Sequence, residues 1–206
     1  MKKFTDEDAA KLVDCAVELA KTVATDDKGP QPMAICCMKA DQGVMGVPTA
    51  FRCMDTVKPT SATFAIHKAF TVLLYNADTK KHADRIANGS WSEADMILMA
   101  QTIPQFTPWD GGIQVKDNEG NVVCSLGGAG RTSEGDRRLV VLAAHKMGYK
   151  TNFDENGEPR KVWSTYAAFE ELHANGQESL AYRSTHIVCT GKELLLRDRW
   201  WVQPYI

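Results

Sequence analysis

The chain has 206 residues, 44% of them apolar and 24% charged, the mixture of an ordinary globular protein, which excludes disorder, collagen and coiled coil. Its formal net charge is −2, with no basic tract, so the phosphate neutralisation that drives nucleic-acid binding has no support. The longest apolar runs, Met33–Met38 and Leu139–Ala144, have six residues each, against the ~20 that span a bilayer. Acids fill the N-terminal stretch where a signal peptide needs apolar residues, so the expectation is a cytoplasmic protein without membrane partners.

Thr5-Asp-Glu-Asp8 reads as a capping box opening a first helix. Ala9, Leu12, Val13, Ala16, Leu19, Ala20 and Val23 keep helical spacing behind it, and Asp26–Pro30 stops it. Met33–Met38 predicts a buried strand. Val44–Arg52 predicts its partner, with Gly46 and Pro48 pointing to a bulge or an edge position. A second helix is predicted from Pro59 to Tyr75. Ala65, Ile66, Ala69, Phe70, Val72 and Leu73 form its broad apolar side; Phe64, His67, Lys68, Thr71 and Tyr75 share the other. Residues 79–103 read as helical pieces with Ser92 as a cap. Ile113–Val115 and Asn121–Leu126 predict a hairpin across Asp117–Gly120. Gly127–Gly130 leads into a helix over Ser133–Lys146 with an apolar stripe of Leu139, Leu142, Ala143 and Met147. Beyond Gly148 a loop, a short helix near 166–175 and a strand at 186–190 are expected.

Helices alternating with hairpins predict an α/β (α+β) domain, a mostly antiparallel sheet flanked by helices. Six cysteines (15, 36, 37, 53, 124 and 189) lack C-x-x-C spacing, and Cys36 and Cys37 fall on opposite strand faces. All six read as reduced core residues. The five histidines are scattered, so no metal site is expected.

Three blocks together resemble the GlcG/HbpS-like family, also called the haem-degrading domain family, which includes the C-terminal domain of PduO-type proteins. The first is the opening helix with Met33–Met38. The second is Phe51-Arg-Cys-Met-Asp55 followed by Ser61, His67-Lys68-Ala69 and Thr71. The third is Gly111-Gly112, Val122–Gly130 and Asp136. The resemblance spans about residues 5–149. Two departures stand out: Thr56-Val57 replaces the family's Gly-Ala, and Gly127-Gly-Ala-Gly130 replaces its G-V-S-G. The resemblance implies a profilin-like fold, a homo-oligomer and a pocket for a small organic ligand, with haem or corrinoid bound in some relatives. It divides the chain into a family domain, 1–149, and a C-terminal extension, 150–206.

Residue by residue, two readings compete. Gly127, Gly128 and Gly130 form either an anion-binding nest at a helix start or a tight turn that needs positive φ. Asp136 is either the capping-box partner of Ser133 or a pocket residue. Lys68 either pairs with Asp55 or Asp136 or serves as a base or carboxylate anchor. His67 is either a core histidine or a general acid/base. Arg52 and Arg131 either clamp a carboxylate or form rim salt bridges, and Trp109 either walls a flat ligand or plugs its own core. Asp55, Thr71, Gly111 and Gly112 enter the ligand set through the resemblance. His82 and His145 read as surface.

Taken together these features predict a catabolic enzyme acting on a small organic, even aromatic, acid. The chemistry is cofactor-independent acid/base work of the lyase, hydratase, isomerase or deaminase type, with His67, Lys68 and Asp136 as catalytic residues. No cofactor is required, haem being the one the resemblance allows. The alternatives are a haem- or corrinoid-binding protein with His67 as axial ligand and a non-catalytic assembly partner. The aromatic-rich extension is expected to pack on the domain or on a neighbouring subunit.

Overall fold

Thr5 accepts a hydrogen bond from the Asp8 amide while the Asp8 carboxylate accepts from the Thr5 amide, and this capping box starts helix α1 (Asp6–Thr22). The elements that follow are β1 (Ala34–Lys39), β2 (Ala50–Cys53), α2 (Pro59–Tyr75), α3 (Thr79–Ala87), α4 (Glu93–Thr102), β3 (Gly112–Lys116), β4 (Val122–Ala129) and α5 (Ser133–Lys146). The computed structural model describes residues 3–41 and 47–160, the side chains of Glu93 and Ala100 aside. The chain divides into two units, Met1–Arg160 and Lys161–Ile206. Cys189, His173, His186 and the elements expected after residue 160 therefore lie outside the described residues.

The four strands form one antiparallel sheet in the order β2-β1-β4-β3, so the α+β class with a mostly antiparallel sheet holds. β2 is an edge strand, in keeping with Pro48 just before it, and it begins at Ala50, later than the expected Val44, residues 47–49 being described outside the strand. Strand alternation sorts β1 between two cores. Ile35 and Cys37 face α1 and α5 in one cluster; Ala34, Cys36 and Met38 face α2 in the other. Fully buried side chains such as Leu12, Ile35, Leu126 and Leu139 each contribute roughly 1.5–3 kcal/mol.

Three expectations about packing are corrected. The buried face of α2 is Ala65, Lys68, Ala69, Thr71 and Val72, so Lys68 and Thr71 of the polar side lie against the sheet beside apolar residues, and the expected division of the helix into an apolar and a polar side does not hold. On α5 the buried set is Leu139–Val141, Ala143 and Ala144, whereas Leu142 is half-buried and Met147 exposed. Cys53 is exposed, so the cysteines are not all core residues.

Candidate functional site

The two glycines of Gly127-Gly128 are strand residues of β4, not a nest or a turn. A Cβ at Gly127 would lie 2.3 Å from the Ala65 carbonyl oxygen, and one at Gly128 would lie 2.8 Å from Val140 Cγ1. The pair lets α2 and α5 press on opposite faces of the same strand. Of the three glycines, only Gly130, beyond the strand, has a positive φ, 146°, and lines the cleft, and a Cβ there would lie 2.4 Å from the Pro32 carbonyl oxygen.

That close approach carries Lys68 beneath the end of β4. Its Nζ donates to Asp136 Oδ2 at 2.8 Å and to the Gly128 carbonyl at 3.0 Å. Asp136 Oδ1 accepts from the Arg131 amide at 2.9 Å. Both side chains are 4% exposed. Burial pushes the Asp136 carboxyl up to about 6, while the Lys68 ammonium pulls the other way. The helix cap expected of Asp136 belongs to Thr132, whose hydroxyl accepts from the Gly135 amide. Gly111 leaves room for the pair: a Cβ there would meet Lys68 Nζ at 2.7 Å. A second buried ion pair, Asp110–Arg137, lies beside it. Spacing in the sequence offers no hint of this pair, because its partners are brought together by the β3–β4 hairpin.

Above the Lys68–Asp136 pair opens a cleft of about 660 Å³, within the range of small-molecule sites. Its walls come from the α1–β1 connection (Lys28, Gln31, Pro32), the start of α2 (Thr56–Lys58, Thr60, Ser61, Phe64), Trp109, and the entry to α5 (Ala129–Ser133). Phe64 and Trp109 are 40% and 51% exposed. Lys28 and Lys58 have no charged partner among the described residues. Arg131 donates to the carbonyls of Ala20, Val23 and Gln31 and to the Thr25 hydroxyl, so its charge is fixed in place at the cleft wall. Thr56 carries a φ of 69°, a strained backbone for a β-branched residue.

Of the predicted site residues, Lys68, Trp109, Gly130, Arg131 and Asp136 meet at this cleft. The others do not. His67 is half-buried with no polar partner among the described residues, and burial lowers its pKa. One helical step turns it away from Lys68 and out of the cleft lining. Arg52 pairs with Asp14 on the surface at 3.0 Å. Asp55 is exposed outside the cleft. Thr71 is buried and accepts from the Thr107 amide, holding the loop before Trp109. Gly111, Gly112, Gly127 and Gly128 serve packing. Lys28, Lys58 and Phe64, absent from the predicted set, complete the cleft; exposed lysines and phenylalanines carry no pattern that would have singled them out. His82 is not on the surface but 1% exposed, stacked on Trp91 with Tyr75 and Phe106 at its edges. His145 is half-buried, its Nε2 3.0 Å from the Thr151 hydroxyl.

A family model described as "Haem degrading protein HbpS-like" matches residues 4–145. The chain belongs to the HbpS-like family. No protein of curated function matches it significantly. Among solved structures, a PduOC–haem complex is 21% identical, covers 73% of this HbpS-like chain and 99% of its own, and superposes with a TM-score of 0.58. A double mutant of Streptomyces reticuli HbpS is 24% identical over 71% of this chain and 88% of its own, TM-score 0.54. Klebsiella pneumoniae ORFY is 18% identical over 72% and 92%, TM-score 0.57. At these identities the likeness shows the fold.

Family and geometry together correct the functional expectation. The expected acid/base enzyme of lyase or isomerase type gave the catalytic roles to His67, Lys68 and Asp136. Lys68 and Asp136 neutralise one another, His67 is elsewhere, and the family is one described by haem.

The residues present fit part of a haem group. Its flat ring suits Phe64 and Trp109, and its carboxylates suit Lys28 and Lys58, with Arg131 adding positive charge at the wall while its own hydrogen bonds stay within the protein. Its iron asks for His, Cys, Met or Tyr, and none of these lines the cleft among the described residues. His67 as axial ligand is thus not provided for. No helix among the described residues is long and apolar enough to cross a membrane.

Proposed function

We propose that this HbpS-like chain is a binding protein for a tetrapyrrole carrying carboxylates, haem foremost. The observation that carries the reading is the cleft itself. Two exposed aromatic side chains face a space lined by four cationic residues and a single carboxylate. Family membership favours haem over other flat anions. Exposed Phe64 and Trp109 supply area for a ring at little entropic cost. The lysines at the mouth, without a charged partner among the described residues, attract carboxylates without any buried charge being stripped of its partner. The same reading includes self-association, supported by the adjacent exposed Ile97 and Leu98 of α4 and checked by sedimentation velocity.

The test is a hemin titration of the full chain followed by absorbance. A saturable Soret change at one hemin per chain, weakened by Trp109→Ala, is expected. Non-saturable absorption indifferent to Trp109→Ala overturns the reading.

A further inference from the structure

We infer that the cleft recognises its tetrapyrrole by ring face and carboxylate edge alone, so that metal-free protoporphyrin binds as well as haem. The inference rests on the reading of the cleft as a tetrapyrrole site and adds what that site discriminates. Proteins that grip haem through iron present a His, Cys, Met or Tyr to it, and among the described residues the cleft presents none. The amine of Lys68 at its floor is committed to Asp136 and the Gly128 carbonyl. His67 lies outside the lining, and His82 is enclosed in its aromatic cage. What remains polar in the described lining are neutral hydroxyls and the Gln31 amide, weak partners for iron.

The features that face the ligand are all indifferent to the metal. Lys28 and Lys58 lack partners among the described residues and stand where a carboxylate edge would sit. Arg131 adds a charge that cannot swing away, because four acceptors hold its terminal nitrogens. Its Nε is buried without a partner. Phe64 and Trp109 offer apolar area, which a porphyrin fills with or without iron.

The experiment compares hemin, metal-free protoporphyrin IX and protoporphyrin dimethyl ester on the full chain, by absorbance and porphyrin fluorescence. Hemin and protoporphyrin are expected to bind within about threefold of one another, and the ester, lacking carboxylates, about tenfold or more weaker. Lys28→Ala with Lys58→Ala is expected to weaken hemin and protoporphyrin by the same factor. His67→Ala is expected to leave the hemin Soret band unmoved. Hemin binding about tenfold or more tighter than protoporphyrin overturns the inference while leaving the proposed function standing. So does a Soret band altered by His67→Ala. If neither porphyrin binds saturably, the proposed function itself falls.

Discussion

At the bottom of the cleft Lys68 and Asp136 are buried and satisfy one another; at its mouth Lys28 and Lys58 are exposed and paired with nothing described. Both regions are charged, yet they obey different physics. A buried ion pair repays its desolvation only through its own partner, so it holds the fold together and has little left to offer a ligand. An exposed lysine gives little to stability and keeps its charge for whatever arrives. Chemistry-bearing residues near a cavity are thus not automatically the residues that use it.

The contrast breaks most visibly at the floor. Lys68→Met leaves the Asp136 carboxylate buried without its ammonium and is expected to destabilise the protein by about 3–5 kcal/mol in urea denaturation. The double variant Lys68→Met with Asp136→Leu is expected to lose much less, because no charge is stranded. Equal losses from single and double variants would show that the pair's mutual neutralisation is not what the floor depends on.

His82 extends the rule that a buried polar group is a structural commitment. Burial lowers its pKa from the ordinary 6.5 to about 4, with the nearby Arg85 and Lys81 charges adding to the effect. The folded state therefore keeps the ring neutral while the unfolded chain takes up a proton below about 6.5. Stability is full above that pH and is lost as the pH falls toward 4, by up to roughly 3 kcal/mol. His82→Phe is expected to flatten this dependence when denaturation is followed from pH 7 to pH 5. An unchanged slope would assign the acid lability to other groups.

On the cleft wall stands exposed Thr56, whose φ of 69° is a position that favours glycine. Thr56→Gly is expected to stabilise the fold by about 1 kcal/mol, relief of strain exceeding glycine's added freedom in the unfolded chain. A loss of stability instead would mean that the Thr56 side chain has packing worth more than its strain.

Much of the fold was legible because local chemistry and global packing agree there. The Thr5 capping box, Pro59 at the start of α2 and the alternating faces of β1 each follow from a few neighbouring residues. The helix bounds of α2 and α5 were readable for the same reason. The site was half legible. Lys68, Asp136, Arg131 and Trp109 stand out by type, but only Arg131 and Asp136 are placed by the β4–α5 connection; Lys68 comes from α2 and Trp109 from the loop before β3. What each does there depends on burial, which periodicity misassigned on α2. The small residues Ala65, Ala69 and Gly127 let the helix settle close to the strand, and that rotation places Lys68 inward and leaves His67 aside. His82 was misread because Lys80-Lys81 beside it marks a solvated stretch, while its burial comes from Trp91 and Phe106, both remote from it in a helical sense.

The smallest expected effect is the one that separates the two regions. Lys28→Ala with Lys58→Ala removes two charges that touch no described partner, so stability in urea is expected to stay within about 0.5 kcal/mol of the parent. Porphyrin affinity is expected to fall by about tenfold in the same protein, and its decline with added salt to become shallower, since exposed charges are the ones salt screens. The floor variants predict the reverse order, a large loss of stability measured before any ligand is added. If the lysine double variant instead unfolds early, those side chains are part of the fold, and the division between a structural floor and a ligand-facing mouth does not hold.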